Sequence, residues 1–361
     1  MQNKKPNNEK KIESRKGLAS LLSSVRIDEM WIALVVLVVV GAIAGWTFLS
    51  SLPGPVAEIV EEILVDEPIR HPLTGEVIQE AYESLPQVIG VMVENSADAW
   101  PLSGLDQAFM VIEAPVEAGI PRFLVLFSDE DEVDKIGPVR SARPYYVDWA
   151  DSLQALYGHV GGSPDALEQI LDGDTLDINQ FWFGDYFWRE NGTRFAPHNV
   201  FTTIELLIEA SDRLDLQPLD YDQWIYGEVE PAEEPVLLVE IDFADGVVYD
   251  VDWEYDIDEE SYLRYTYGSP TRMEDGANIW SDTVAVLAMD IRTIDNIGRK
   301  SIDTFSRGNA LLFRMGNVDL VEWRMEDGGR ITFYLNGGEV EMHPGVTWIE
   351  IVDDLSQVEY K

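Results

Sequence analysis

The chain has 361 residues, 67 acidic against 25 basic side chains for a net charge of −42, 46% hydrophobic content and no cysteine. That length and apolar content support a sizeable core in one large or two ordinary domains. The composition excludes disulfides, thiolate metal sites, cysteine nucleophiles and a lipid-modified cysteine anchor, and such an acidic surface disfavours nucleic acid, so no nucleic-acid partner is expected. His71, His159, His198 and His343 are the only histidines, too few for a histidine-rich metal centre, so no metal ligands are assigned. The acidic surplus leaves a divalent cation as an allowed companion, and no other cofactor is indicated.

Residues 1–29 hold seven Lys/Arg against four Asp/Glu, so the remainder carries 18 basic and 63 acidic side chains. This basic, polar tail is expected to be disordered and cytoplasmic. Residues 30–57 contain no charged side chain. Segment 30–52 reads as a transmembrane helix, with Trp31 and Trp46 near its ends, and it places the chain in the lipid bilayer as a single-pass protein. A cleaved signal peptide has a shorter apolar region and a small-residue cleavage site, which Ser50-Ser51-Leu52-Pro53-Gly54-Pro55 does not supply. No basic residue follows until Arg70, so the positive-inside rule puts the body outside the cytoplasm. Residues 53–85, broken by prolines, read as a tether.

A mixed α/β module is expected over 86–230. Strands are read at 88–95, 110–113 and 122–127, a short helical turn after 102–105, a helix over 146–156, a strand at 156–160 and a helix from 166 capped by Ser163 or Asp165. Between them lies Ile136-Gly137-Pro138-Val139-Arg140-Ser141-Ala142-Arg143-Pro144-Tyr145-Tyr146-Val147, with two arginines and no acid. Two guanidinium forks on a proline-stiffened backbone suit a carboxylate or phosphate, and internal ion pairs are the competing reading. Glu113 and Glu117 lie beside a turn, either as a carboxylate site or as a solvated edge. Gly161-Gly162-Ser163, between a strand and a helix start, could face an anion with its N–H groups or could be a plain turn. His159 precedes it. The aromatic run 181–189 is read as a core plug rather than a sugar-stacking surface. Arg194 and Pro197-His198-Asn199 then lead into a helix over 200–214 capped by Asn199 or Thr202.

Pro231 and Pro235 mark the boundary of a mostly antiparallel β module over 231–361. Strands are read at 236–243, 247–255, 262–267, 283–294, 310–313, 318–324, 330–334 and 346–351. Trp253, Trp323 and Trp348 are assigned to its core. Asp250, Asp252, Asp256 and Asp258 do not match the twelve-residue calcium loop and are read as solvated. The fold class is therefore α+β: a membrane helix, a mixed α/β module and a β module.

From about 88 to 203 the sequence resembles the YerB-like family of bacterial extracytoplasmic proteins. The resemblance is carried by Gly104-Leu105, Glu113-Ala114-Pro115-Val116-Glu117-Ala118-Gly119-Ile120, Arg122-Phe123, the arginine window, His159-Val160-Gly161-Gly162-Ser163 and Arg194-Phe195-Ala196-Pro197-His198-Asn199. Trp253-Glu254-Tyr255-Asp256, Tyr262-Leu263-Arg264, Gly308-Asn309-Ala310-Leu311-Leu312-Phe313-Arg314, Val321-Glu322-Trp323-Arg324 and Pro344-Gly345-Val346-Thr347-Trp348-Ile349-Glu350 resemble the same family's second module. The resemblance implies a two-module fold and an extracytoplasmic body, and it implies no reaction. Its better-known members look like lipoproteins, whereas this chain has a membrane helix in place of the cysteine.

These readings point to a non-enzymatic cell-envelope protein that binds an unidentified envelope ligand or protein. The candidate residues are Glu113, Glu117, Arg122, Arg140, Ser141, Arg143, His159, Gly161, Gly162, Ser163, Arg194, His198 and Asn199, with no catalytic residue assigned. The alternative is a metal-dependent phosphotransferase or hydrolase on lipid pyrophosphate-linked substrates, similar in pattern to the LytR-CpsA-Psr type, in which Arg122, Arg140 and Arg143 would clamp phosphates beside Glu113 and Glu117. A serine hydrolase on Ser141 lacks the glycine-flanked elbow.

Overall fold

Apolar runs without polar alternation need cover on both faces, which places them in the middle of a sheet. The computed structural model describes residues 68–192, 194–243 and 248–361. In it β1 (Val88–Val93), β2 (Met110–Pro115) and β3 (Pro121–Ser128) are buried at every position. α1 (Pro144–Asp151), β4 (Leu156–His159), α2 (Pro164–Asp172) and β5 (Leu176–Asn179) follow, then a small hairpin of β6 (Trp188–Arg189) and β7 (Val200–Phe201), and α3 (Ile204–Ser211). The basic tail, the apolar span 30–52 and tether residues 53–67 lie outside the described residues. Among the described residues no helix is long and apolar enough to cross a membrane.

The second half is built from strands. They are β8 (Leu238–Ile241), β9 (Val251–Asp256), β10 (Ser261–Thr266), β11 (Ser269–Pro270), β12 (Trp280–Ser281), β13 (Thr283–Ala288), β14 (Ile291–Thr293), β15 (Lys300–Ile302), β16 (Arg307–Arg314), β17 (Asn317–Arg324), β18 (Thr332–Leu335), β19 (Gly338–Glu339), β20 (Thr347–Val352) and β21 (Val358–Tyr360).

The two halves share one eleven-stranded sheet, ordered β19-β18-β17-β16-β13-β20-β2-β3-β1-β4-β5. Its seam is the parallel pairing of β20 with β2, in register Met110↔Thr347, Val111↔Trp348, Ile112↔Ile349 and Glu113↔Glu350. β20 also runs parallel to β13, so the otherwise antiparallel second half contributes its one strand with two parallel neighbours to the join. A second, wholly antiparallel sheet orders β11-β10-β9-β8-β21, with β12 on β10. It covers one face of the large sheet, where Trp253 meets Trp348 edge-on at 5.3 Å. α3 packs into this same core through Ile204, Leu207 and Ala210. α1 and α2 cover the opposite face, where Tyr145, Tyr146 and Trp149 pack together beside Leu124 and Leu126. Alternation along β3 therefore sends Phe123 and Val125 to one core and Leu124 and Leu126 to the other.

Local signals explain most element ends. Ser163 caps α2 by accepting from Ala166 N at 3.3 Å, with Pro164 at the first helical position. α3 starts later than its apolar spacing suggests. Val200 and Phe201 are consumed by the β6–β7 hairpin, so the cap is Thr203, which accepts from Leu206 N, rather than Asn199 or Thr202. The expected strand 283–294 is two strands, β13 and β14, interrupted at Met289 and Asp290. Trp253, Trp323 and Trp348 are fully buried, as core residues should be. The aromatic run divides: Phe183 and Phe187 are buried, while Phe181 and Trp182 are 66% and 73% exposed. The last part of the tether packs on the body, with Leu73 buried and its carbonyl accepting from the Tyr226 hydroxyl.

Candidate functional site

The arginine window threads between four neighbours, through bridges Ile136↔Thr202, Gly137↔Ser103, Val139↔Val93 and Ala142↔Gly162. Both of its arginines are paired. Arg143 grips Glu117 through Nη2, 2.6 and 2.7 Å from the two carboxylate oxygens, and through Nε at 2.9 Å. Arg140 Nε lies 3.1 Å from Glu94, whose other oxygen is 2.8 Å from His198 Nδ1. Arg122 reaches the window from beneath and donates to the Ser141 carbonyl at 2.6 Å. Burial, reinforced by the charges of Arg143 and Arg140, pushes the Arg122 guanidinium down from its usual value. Neither histidine bonds Ser141: His198 is held by Glu94, and His159 has Asp177 at 2.6 Å and donates to the Gly161 carbonyl at 2.8 Å.

The double-glycine turn is likewise used inside the fold. Gly161, at φ +62°, donates its N–H to Asn179 Oδ1, and Ser163 N–H goes to the Ala142 carbonyl. Asn199 accepts from Arg189 and donates to the Glu190 carbonyl, which ties the residues around the β6–β7 hairpin together. The window is thus stapled by charge-assisted hydrogen bonds, the strongest kind available to a half-buried loop.

Glu117 shows the energetic consequence. Burial favours its neutral acid, but the Arg143 guanidinium and its hydrogen bonds outweigh that and hold the carboxyl below its usual range. A depressed folded-state value stabilises the fold above the unfolded value, and that contribution is lost as pH falls through the folded value. Arg143→Ala is therefore expected to cost about 2 kcal/mol at pH 7. It should cost less in acid, as pH falls below the usual glutamate value and the pair's contribution is lost, and urea unfolding at pH 7 and pH 3.5 checks the difference.

Glu113 does not join these arginines. On β2 it points to the opposite core from Arg122 and is fully buried. Its partner is Arg264 on β10, whose Nη2 donates to Glu113 Oε2 at 2.8 Å. Asn95 Nδ2 donates to Oε1 at 3.2 Å and Trp348 Nε1 to Oε2 at 3.3 Å. The convergence of acids and arginines that a phosphotransferase cleft requires is not formed by these residues. Among the described residues no group of His, Asp and Glu is arranged to hold a metal.

Beside Glu113 in register stands Glu350, also fully buried, with Oε1 accepting from Trp253 Nε1 at 2.9 Å. Burial first, and then the charge of Glu113, push the Glu350 carboxyl well above its usual range. Two adjacent carboxyls thus share one guanidinium. Arg264 Nη1 donates to Thr266 and Thr271, and the guanidinium lies 5.2 Å from the Trp348 ring and 5.6 Å from that of Phe123. Its Nε–H has no protein acceptor.

Arg264 forms part of the floor of a cavity of about 320 Å³ at the seam of the two halves. The first half supplies Asn95, Trp100, Leu105 and Phe123; the second supplies Arg264, Thr271, Arg272 and Ile279. A chain of hydrogen bonds runs from its wall into the buried pair: Trp100 Nε1 donates to Asn95 Oδ1, and Asn95 donates to Glu113. Arg194 fixes the wall. It donates to the carbonyls of Ala99 and Pro101 and pairs with Glu274 across the seam at 3.2 Å. Glu274 also receives Ser103 and Lys135. None of the residues singled out from sequence, Glu113, Glu117, Arg122, Arg140, Ser141, Arg143, His159, Gly161, Gly162, Ser163, Arg194, His198 and Asn199, lines this cavity; Glu113 lies behind it, bonded to the lining residues Asn95 and Arg264, and Arg194 holds the Pro101 carbonyl of its wall. Arg264 was the residue missed as a site. Its signal was an arginine two residues from Tyr262 on one face of an apolar strand, where a buried charge demands a buried partner.

Residues 73–217 match the family described as "Protein of unknown function (DUF3048) N-terminal domain", and residues 239–349 match the "DUF3048" C-terminal domain. The chain is 33% identical over 297 residues to the "Putative lipoprotein YerB" of Bacillus subtilis (strain 168), covering 80% of this chain and 87% of that protein. The crystal structure of the YerB protein from Bacillus subtilis is similar at a TM-score of 0.73 with 31% identity, over 81% of this chain and 99% of that one.

Proposed function

We propose that this chain, which belongs to the family of unknown function made of the DUF3048 N-terminal and C-terminal domains, is a membrane-anchored extracytoplasmic binding protein that takes a small ligand into the seam cavity. The observation that carries the reading is that both family domains build the cavity, so that neither makes the site alone. Its volume lies at the lower end of the range for small-molecule sites, and its lining is largely apolar with a few convergent polar groups, as such sites require. Location rests on the uncharged segment 30–52 behind a basic tail, and on the lipoprotein name of the relative, whose lipid anchor would leave the body on the same side of the membrane.

The test uses the full-length chain in nanodiscs, screened for thermal stabilisation against a panel of small apolar and amphiphilic metabolites. Pro270→Trp, which places an indole where Pro270 lines the cavity, serves as the blocked control. Stabilisation by at least one compound that disappears in Pro270→Trp is expected; stabilisation that persists in the blocked variant overturns the site. Protease added to protoplasts should cut the body and spare the basic tail, and protection of the body would overturn the location.

A further inference from the structure

We infer that the ligand of the seam cavity is a small carboxylic acid with an apolar body, its carboxylate taken by Arg272 and its body by Trp100, Leu105, Phe123 and Ile279. This rests on the cavity being a binding site. In a chain with 67 acids against 25 basic side chains, the cavity is lined by two arginines and by no acid at all. The acids next along the chain are committed elsewhere: Glu274 to Lys135, Arg194 and Ser103, and Asp275 to the Ala277 N–H. Behind the floor, Glu113 is neutralised by Arg264, and the Glu350 carboxyl is pushed up by burial and by Glu113.

The two arginines differ in what they offer. Arg272 is exposed and forms no ion pair within the described residues, so its whole fork is available at the mouth. Arg264 is fully buried and engaged through Nη1 and Nη2, so it adds positive charge behind the floor and no free fork. Arginine forks match a planar carboxylate. The rest of the lining is mainly aromatic and aliphatic, and its polar members Asn95, Thr266 and Thr271 are already bonded to Trp100, Glu113 or Arg264, which leaves no partner for a second charge.

The experiment pairs acids with their neutral isosteres. Hexanoate and 4-phenylbutyrate are titrated calorimetrically against the full-length chain in nanodiscs beside hexanamide and 4-phenylbutanamide. The acids are expected to bind at least about tenfold tighter than the amides, the ratio set by charge-assisted hydrogen bonding. Arg272→Gln, an exposed change that leaves the fold intact, should bring that ratio close to one, and Pro270→Trp should abolish both. Equal binding of acid and amide would overturn the acid reading and leave cavity binding standing. An acid preference untouched by Arg272→Gln would overturn the assignment to this arginine. No binding of either series, in a protein that also fails the wider panel, would overturn the cavity reading itself.

Discussion

Replacing Arg264 with methionine is expected to cost about 3–5 kcal/mol of folding stability, read as the urea midpoint at pH 7. The cost comes from what remains. Glu113 is fully buried and paired with Arg264, and methionine removes the cation while keeping the volume. A body of this kind is held by about 5–15 kcal/mol in total, so the variant sits near its unfolding threshold. Adding Glu113→Gln removes the stranded charge, and the double variant should recover much of the loss. Strong coupling in that double-mutant cycle is the signature of the pair. Arg264→Lys keeps the charge but cannot reach Glu113, Thr266 and Thr271 at once, and it should fall between. A loss below about 1 kcal/mol in Arg264→Met, the range of an exposed ion pair, would mean that the pair does not anchor the seam.

Glu350→Gln should change how stability depends on pH. The folded-state carboxyl lies well above its usual value, raised by burial and by Glu113. Above the unfolded value near 4.5, the unfolded chain releases this proton while the folded chain keeps it. The stabilisation present at low pH is therefore lost as pH rises, by up to about 1.4 kcal/mol per pH unit until the folded value is passed. Glutamine is neutral at every pH and keeps an oxygen for Trp253. The variant should lack this decline, so the difference in unfolding free energy between it and the natural chain grows as pH rises above the unfolded value. Parallel curves across that range would show that Glu350 is ionised in the fold. The effect opposes that of Glu117, whose contribution is lost towards acid, so the two carboxyls together favour a stability maximum at mildly acidic pH.

Strands and helices were largely legible because their signals are local. The apolar runs around 91, 112, 125, 286 and 349 became buried strands, and Ser163-Pro164 announced α2 before any tertiary contact was considered. α3 was placed too early because the pairing of Val200 with Arg189 competes with helix formation, and that competition is decided by a partner distant in the chain. The arginine window was visible as a charge anomaly, yet charge alone did not say whether its forks face a ligand or the chain. Glu94 and Glu117, 46 and 26 residues away, decided it. Glu113 was marked as a site and Arg264 was not, although 151 residues apart they make one pair.

What the sequence by itself determined is the set of short-range choices: where the chain extends or coils, which faces are apolar, where the uncharged segment 30–52 lies, and the two-part family pattern. These follow from periodicity, capping and composition, which act over a few residues. What only the tertiary structure decided is the join. β20 enters the first half's sheet beside β2, and that register sets Glu350 against Glu113 and brings Arg264 over both. It also closes a cavity whose wall comes from residues on either side of 230. Parallel pairing between strands more than 200 residues apart is selected by total burial and by the balance of buried charge, quantities that no local stretch of sequence contains.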